Sequence, residues 1–250
     1  MITHPNVKLN LGLNVLRKRP DGFHDLETLF IPYDGFSDEL EITAITDGKG
    51  AGIELIGGDW NPLSDLSWRA YGLLKEDFDL PPVRIRLVKH SPVGAGLGGG
   101  SADAAFTLKT LNSMFSLGLS EAELAGYAAR LGSDCAFFIY NRPMFGEGRG
   151  EILTPFDIDL SRYEIRVEIP AGVAVSTKEA YSGIVPRCGR DLRKVLSKPV
   201  SEWKESLVND FEETVFRLHP EIAALKRRFY DEGAVYAAMS GSGSAVFGLF

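Results

Sequence analysis

Apolar and polar residues alternate near the start of the chain with the period of a β-strand. The apolar positions are Val7, Leu9, Leu11, Leu13 and Val15. The positions between them include Lys8 and Asn10. The pattern therefore predicts a strand with one buried face and one polar face, and the polar face carries both of these side chains.

A turn and a second strand are predicted to follow. Residues 20–22 are a proline, an aspartate and a glycine, which supply turn chemistry, and a strand pattern resumes over 23–33. Hairpin pairing of the two strands would bring Phe23 and His24 near the first strand.

Strand and helix signals are mixed along the rest of the chain. Strands are predicted over 39–45, 53–56, 83–88, 163–169 and 235–239, and helices over 66–75, 102–115, 199–207 and 221–231, with a further helix from Ser120. This order indicates an α+β fold with two domains, residues 1–154 and 155–250, that meet near Thr154.

Two of the helix starts carry polar capping residues. Ser101 precedes the helical pattern over 102–115 and is predicted to be its N-cap. Ser120 and Glu123 form a capping-box pattern at the next helix, and Gly132 is predicted to end that helix.

A glycine-rich loop lies between the strand over 83–88 and the helix that follows. It reads Pro92, Val93, Gly94, Ala95, Gly96, Leu97, Gly98, Gly99, Gly100, Ser101 and Ala102. Glycines leave the backbone N–H groups open to close approach, and the start of a helix favours negative charge. The alternative is a flexible surface loop, but the position between a strand and a capped helix favours a phosphate-binding site.

The loop alone does not decide which phosphate ligand binds. Gly94, Gly96 and Gly99 satisfy the G-x-G-x-x-G spacing of dinucleotide-binding folds, so a nicotinamide-dependent oxidoreductase is an open alternative. The strand before the loop alternates with Arg84 and Arg86, whereas the strand of such a fold should be continuously apolar. A Walker A loop is excluded because no Lys-Ser or Lys-Thr pair follows the glycines.

Taken together, these motifs resemble those of the GHMP kinases, in which the glycine loop is the second motif. Further segments with the same resemblance are 7–11, 21–24, 131–134 and 240–244, in the order that the family has them. The resemblance spans nearly the whole chain. It implies a two-domain α+β GHMP kinase fold with the active-site cleft between the domains, and it implies ATP as the phosphate donor, with Mg²⁺ carried by the ATP.

The same resemblance implies the catalytic residues. Asp134 would lie at the acceptor hydroxyl as a base or orienting group, and Lys8 would stabilise charge and keep Asp134 ionised. Taken alone, Asp134 would be interpreted as a helix N-cap and Lys8 as a solvated strand residue. Phosphoryl transfer needs mainly positioning and charge stabilisation, so a carboxylate, a lysine and a backbone cradle are a sufficient set.

Within the family, the motifs are most similar to those of members that phosphorylate the 2-hydroxyl of a cytidine diphosphate conjugate of methylerythritol, in the non-mevalonate route to isoprenoid precursors. For these, the resemblance implies that His24 hydrogen-bonds the cytosine edge while Phe23 and Tyr181 stack on the base. Core packing is the alternative for the two aromatic residues. The remaining substrate contacts expected on this basis are Asn10, Thr177 and Gly241. A plain β-turn would also explain the last of them.

The chain departs from the family pattern in a few places. Phe23 replaces a tyrosine and Val7 an alanine, and neither change alters the chemistry. Asp65 stands where the family usually has an asparagine that meets the nucleotide; its charge disfavours close phosphate approach, so we do not count it among the site residues. Family members continue past the third motif, so we expect a chain ending at Phe250 to be shortened or to have a trimmed C-terminal domain.

Composition and charge argue against several other classes of function. The chain has 250 residues and a net charge of −7, which argues against wide contact with nucleic acid or an acidic membrane. Two cysteines and four histidines offer neither a disulfide framework nor the spacing of metal ligands. We therefore expect a cytoplasmic protein without a metal site of its own.

Two further alternatives stay open. A different GHMP kinase would share Lys8, Asp134 and the glycine loop but would not select for cytosine. A non-catalytic nucleotide-binding module would bind ATP without turnover, and the presence of both Lys8 and Asp134 argues against it.

Overall fold

The computed structural model describes residues 1–46 and 50–250. The strands are β1 (Ile2–Thr3), β2 (Asn6–Lys18), β3 (His24–Ser37), β4 (Glu39–Ala44), β5 (Gly52–Ile56), β6 (Val83–Val88), β7 (Met144–Glu147), β8 (Ile152–Pro155), β9 (Ile165–Glu168), β10 (Tyr236–Met239) and β11 (Val246–Leu249). The helices are α1 (Leu66–Asp77), α2 (Gly99–Met114), α3 (Glu121–Leu131), α4 (Cys135–Tyr140), α5 (Thr177–Tyr181), α6 (Leu192–Leu196), α7 (Phe211–Leu218) and α8 (Pro220–Asp231). In the described part of the chain, no helix has the length and apolar character that a membrane crossing requires.

The chain divides into two compact units, and each unit is built from several segments. Unit 1 contains Met1–Val7, Pro32–Val93 and Gly98–Arg142. Unit 2 contains Lys8–Ile31, Gly94–Leu97 and Pro143–Phe250. The boundary near Thr154 divides the chain in a different way, at a single point of the sequence, and stays a prediction.

Unit 1 combines one sheet with helices α1 to α4. The strand order is β1-β4-β6-β5, in which β4 is antiparallel to β1 and β6, and β5 is parallel to β6. Strand β6 alternates between buried and more exposed side chains, and its bounds are the predicted ones. Because β6 pairs with an antiparallel neighbour, the strand that leads to the glycine loop does not belong to an all-parallel dinucleotide-binding sheet.

Unit 2 contains most of a second sheet and the whole of a third. Their strand orders are β2-β3-β7-β8 and β10-β11-β9. A cluster of buried apolar side chains forms the core beside α7 and α8; it consists of Leu13, Val15, Val175, Ala180, Phe211, Val215, Ile222, Phe229, Ala234, Ala237, Met239 and Val246. Two of these residues belong to β2, so the core fixes the strand that carries Lys8.

Strand β2 differs from its prediction in one respect. Its side chains are buried without a break from Asn6 to Val15, and Lys8 is only 3% and Asn10 only 2% exposed. The predicted polar face open to solvent was therefore wrong. Polar groups at such positions require hydrogen-bond partners inside the protein.

Helix α2 begins one turn before its prediction. Its N-cap is Gly98, with a φ of 74° and no capping bond from a side chain. Ser101 therefore lies inside the first turn, and the prediction that it is the N-cap was wrong. Helix α3, in contrast, has the predicted capping box between Ser120 and Glu123 and ends at Gly132 as predicted.

The least well predicted region is 177–218. The helix predicted over 199–207 was wrong, since that stretch holds only the short 3-10 turn Val200–Glu202. Helices α5, α6 and α7 were not predicted.

Candidate active site

The Lys8 side chain is fixed in unit 2 by oxygen atoms from two segments, β2 and the glycine loop. Its Nζ donates to the carbonyl oxygen of Gly96 at 2.8 Å and to Oδ1 of Asn10 at 2.5 Å. The ring of Phe30 lies 5.6 Å from the same nitrogen, and the backbone N–H of Lys8 donates to the carbonyl of Leu97 at 2.9 Å. The ammonium group is therefore buried, and it has two oxygen acceptors inside the protein.

Asn10 is held in turn by a chain of hydrogen bonds. Its Nδ2 donates to Oγ1 of Thr28 at 2.9 Å, and that hydroxyl donates to the carbonyl of Gly12 at 2.6 Å. Thr28 is completely buried. The relay fixes the orientation of the Asn10 amide, so that its oxygen and not its nitrogen faces Lys8.

The C-terminal glycine motif, residues 240–244, lies against the same group. The hydroxyl of Ser240 accepts from the backbone N–H of Asn10 at 3.3 Å and donates to the carbonyl of Gly96 at 3.2 Å. A Cβ added to Gly241 would lie 3.2 Å from Nζ of Lys8 and 3.0 Å from the carbonyl of Gly96. The backbone of this motif thus packs directly against the Lys8 ammonium. A plain β-turn would not require such close contact.

Asn209 anchors this motif and was missed from the sequence. Its Nδ2 donates to the carbonyls of Met239 and Gly241, both at 2.8 Å, and its Oδ1 accepts from the N–H of Phe211 at 3.0 Å. Asn209 is 2% exposed. A lone asparagine before a helix gives no signal of such long-range contacts.

The glycine loop contributes residues to both units. In unit 2, Gly96 has a φ of 77°, and the carbonyl of Ala95 accepts from the N–H of Ala245 at 3.0 Å. In unit 1, helix α2 begins at Gly99, so the N–H groups of its first turn lack partners within the helix. A Cβ added to Gly100 would meet no atom within 4 Å, so the space beside this turn is open. Open space beside N–H groups that have no partner within the helix suits a phosphate.

The other predicted loop residues lie in unit 1. Val93 is 61% exposed, and Ala102 is buried with its N–H bonded to the carbonyl of Gly98 at 3.0 Å. Pro92 precedes Val93 at partial exposure. Their predicted contact with a nucleotide stays a prediction.

Asp134 stands at the N-cap position of α4. Among the described residues, its side chain forms no capping bond to that helix, which sets aside the interpretation of Asp134 as an ordinary cap. Burial raises the pKa of the next residue, Cys135, to about 11 although the Ser101 hydroxyl bonds to its sulfur. Asp134 belongs to unit 1 and Lys8 to unit 2. Their action as a pair stays a prediction.

The predicted cytosine-binding residues lie in unit 2. The rings of His24 and Tyr181 stack with centroids 4.7 Å apart and planes 22° apart, and Phe211 meets the Tyr181 ring edge-on. Burial lowers the pKa of His24, and the nearby charge of Lys18 acts in the same direction, so the neutral imidazole is favoured. A neutral ring offers one donor and one acceptor.

Phe23 and Thr177 are more exposed. The Phe23 side chain is 53% exposed, and the Arg149 guanidinium lies 5.0 Å from the centre of its ring. Thr177 is the exposed first residue of α5. In this structure Tyr181 stacks on His24, so the placement of a base between Tyr181 and Phe23 stays a prediction.

Asp65 has a structural role in unit 1, and its exclusion from the site stays a prediction. It is the N-cap of α1: its Oδ1 accepts from the N–H of Ser67 at 2.8 Å, and its Oδ2 accepts from Nε1 of Trp60 at 3.0 Å. A helix start satisfied in this way needs no nucleotide to explain the carboxylate.

Comparison with known proteins shows which families the sequence and the fold are similar to. The model of the GHMP kinases N terminal domain matches residues 65–142, and that of the GHMP kinases C terminal matches residues 192–250. The chain is 52% identical to a 4-diphosphocytidyl-2-C-methyl-D-erythritol kinase of Bacteroides fragilis, with 100% of this chain and 92% of that protein covered. It is 48% identical to a protein of the same name from Cytophaga hutchinsonii, with the same coverage.

Solved structures agree with the sequence comparison. A crystal structure of a 4-(cytidine 5'-diphospho)-2C-methyl-D-erythritol kinase superposes with a TM-score of 0.84 at 34% identity and covers 100% of this chain and 90% of that one. A homoserine kinase from Cytophaga hutchinsonii superposes with a TM-score of 0.74 at 19% identity, over 98% of this chain and 84% of that one. The second likeness concerns the fold alone.

Proposed function

The chain belongs to the 4-diphosphocytidyl-2-C-methyl-D-erythritol kinases of the GHMP kinase family, and on that premise we propose which of its residues carry the reaction. The enzyme phosphorylates the 2-hydroxyl of 4-diphosphocytidyl-2-C-methyl-D-erythritol with ATP, giving the 2-phosphate and ADP in the methylerythritol phosphate pathway. The observation that supports the assignment of residues is the environment of Lys8, whose ammonium is held at once by the glycine loop and by Asn10.

Lys8 is proposed to stabilise the charge that develops during transfer. Its Nζ is fixed by two oxygen acceptors and lies beside the backbone of Gly241. A positive charge that is already oriented needs no reorganisation when the reaction occurs, and this is the main way in which proteins assist phosphoryl transfer.

Asp134 is proposed to orient the acceptor hydroxyl and to accept its proton. A carboxylate can accept a hydrogen bond from the hydroxyl at any stage, whereas a neutral amide could still orient it but would not take the proton. Asp134→Asn would therefore separate the orienting role from the role of proton acceptor.

The chain's own backbone fits the triphosphate of ATP, which supplies the phosphoryl group. The first turn of α2 presents N–H groups that have no partner within the helix, beside open space at Gly100. In the described residues no group of three His, Cys, Asp or Glu side chains could hold a metal ion. We propose that Mg²⁺ arrives with the phosphates of ATP.

Recognition of the cytidyl group is proposed to rest on His24, with Tyr181 as the stacking surface that keeps the imidazole in place. The stacked pair holds the ring orientation before substrate binds, which reduces the entropy lost on binding. Phe23, Asn10, Thr177 and Gly241 are proposed as further substrate contacts. A cytoplasmic location and the absence of a nucleic-acid partner stay predictions from composition.

The test is ADP release from ATP and Mg²⁺, with and without 4-diphosphocytidyl-2-C-methyl-D-erythritol. Release should require the cytidyl substrate, and Asp134→Ala should lower kcat by about two to four orders of magnitude. Asp79→Asn changes an exposed carboxylate in the same unit and should leave kcat unchanged. Release with another alcohol but not with this substrate would keep the family and refute the acceptor. Full activity of Asp134→Ala would refute the catalytic role.

A further inference from the structure

A buried group of charged side chains lies beside the first turn of α2. The Lys89 ammonium contacts the carboxylates of Asp38 and of Asp103, the latter at 2.5 Å. The three side chains are 3%, 0% and 1% exposed, respectively. Buried charges of this kind are costly to keep, so their positions have to be explained.

Asp38 ties the group to the backbone that enters the glycine loop. One of its oxygens accepts from the N–H groups of His90 at 2.6 Å and of Ser91 at 2.7 Å. The other accepts from the Ser91 hydroxyl at 2.6 Å as well as from Lys89. The conformation of the chain just after β6 is thus set by a single carboxylate.

The same group touches the start of α2 from the other side. A Cβ added to Gly99 would lie 2.6 Å from Oγ of Ser91 and 3.5 Å from Nζ of Lys89. Asp103 stands one helical turn after Gly99, so the two share a face of α2. Lys89 therefore contacts this face at Asp103 and lies close to it at Gly99.

Only one of the two carboxylate oxygens of Asp103 has a hydrogen-bond partner among the described residues. Its Oδ2 accepts from Lys89, while Oδ1 is buried and has no hydrogen-bond partner among the described residues. The charged groups that act on it are Lys89, Asp38 and Asp65. Burial raises the pKa of Asp103 to about 8, and the two neighbouring carboxylates add to this effect against the attraction of Lys89.

We propose that Asp38, Lys89 and Asp103 are positioning residues for ATP, which hold Ser91 and Gly99 so that the first-turn N–H groups of α2 face the phosphates. With Asp103 neutral, the group carries one positive and one negative charge. With Asp103 ionised it carries a net negative charge directly behind the anion-binding turn, and that charge opposes phosphate binding.

This inference rests on the proposed function, because it takes ATP to be the ligand of the turn. It differs from a purely structural role in one respect. A structural ion cluster would change the stability of the protein, whereas a positioning cluster also changes nucleotide affinity as Asp103 gains or loses its proton.

The experiment is calorimetric titration of the whole protein with ADP and Mg²⁺, without acceptor substrate, from about pH 7 to about pH 9. The Kd of the unchanged protein should rise about fivefold over this range, as expected for one added charge near the phosphates. Asp103→Asn keeps the shape and an oxygen for Lys89, and it should remove the rise. Asp79→Asn, an exposed carboxylate, should keep it.

Ser91→Ala provides a second and independent variant. It removes the hydroxyl that links Asp38 to Gly99, so the Kd for ADP should increase about fivefold. The KM for ATP should rise with the Kd while kcat stays within about twofold. The variant weakens the binding of the ground state and of the transition state equally, and such a change raises KM without lowering kcat.

The outcomes separate the two proposals. If ADP does not bind the unchanged protein, the proposed function and this inference both fail. If ADP binds but Asp103→Asn shows the same pH profile as the unchanged protein, the inference fails alone. The inference also fails if Ser91→Ala lowers the melting temperature without changing the Kd.

Discussion

The α-carbon of Gly96 faces the carbonyl oxygen of Ser240 so closely that a Cβ added to Gly96 would lie 2.2 Å from that oxygen. The carbonyl of Gly96 also accepts from Lys8 and from the Ser240 hydroxyl. The second and third glycine motifs therefore meet backbone to backbone around the lysine, and no side chain fits where they meet.

Gly96→Ala should lower kcat by at least about tenfold, because the added methyl displaces Ser240 and with it the acceptors of Lys8. Gly94→Ala is the matched control. Both glycines have positive φ, so both variants bear strain of about 1–2 kcal/mol. At Gly94 the new Cβ meets no atom within 4 Å. Steady-state kinetics of both variants test this, and equal kcat values would contradict it.

Thr28→Val should destabilise unit 2 by about 1–3 kcal/mol, because the Asn10 amide and the Gly12 carbonyl each lose a buried partner. A fall in kcat should accompany it, since Asn10 no longer holds Lys8. Thr110→Val is the control, because Oγ1 of this buried residue has no partner among the described residues. It should be neutral or stabilising. Urea unfolding and steady-state kinetics of Thr28→Val and Thr110→Val test this prediction, and equal losses in both variants would contradict it.

Asn209→Leu should lower both stability and kcat, because the third glycine motif loses its anchor at Met239 and Gly241. Asn112→Leu is comparable in unit 1, where the Asn112 amide bonds the backbone of Leu119 in both directions. We expect each variant to lose about 1–3 kcal/mol of unfolding free energy. Only Asn209→Leu should lose more catalytic activity than its loss of stability explains. A similar loss of activity in Asn112→Leu would argue against a specific role for Asn209.

The raised pKa of Asp103 predicts how stability depends on pH. In the unfolded chain this carboxyl ionises near its ordinary pKa, whereas in the folded protein it holds its proton until about pH 8. Its contribution is fully present below the unfolded pKa and is lost as the pH rises through the folded one. The unfolding free energy of Asp103→Asn minus that of the unchanged protein should therefore increase from about pH 5 to about pH 8 and then level off. Urea unfolding across this range measures it, and a constant difference would be contrary to expectation.

Local patterns predicted those features whose causes are local. The alternation of β6 and the capping box of α3 depend on neighbouring residues, and both were correct. The start of α2 was wrong because serine is a common cap, whereas Gly98 adopts a positive φ and begins the helix a turn earlier.

Features that depend on distant partners could not be predicted. Alternation on β2 indicated a solvated polar face, but Lys8 is buried because Gly96 accepts from it across the fold. Lys89 and Asp103 gave no signal as isolated residues, since Lys89 meets Asp38 and Asp103 only in the folded chain. Resemblance supplied the candidates Lys8 and Asp134, and physical patterns alone would not have chosen them.

The burial of β2 on both faces has a consequence for hydrogen exchange. The N–H groups of Lys8, Leu13 and Val15 donate to Leu97, Val208 and Asp210, and these acceptors come from two distant segments of unit 2, the glycine loop and the residues just before α7. Such amides open only when most of a unit unfolds, so they should be among the slowest to exchange with deuterated solvent. The lysine proposed for catalysis thus lies on the last part of unit 2 to open, and local fluctuation cannot release it.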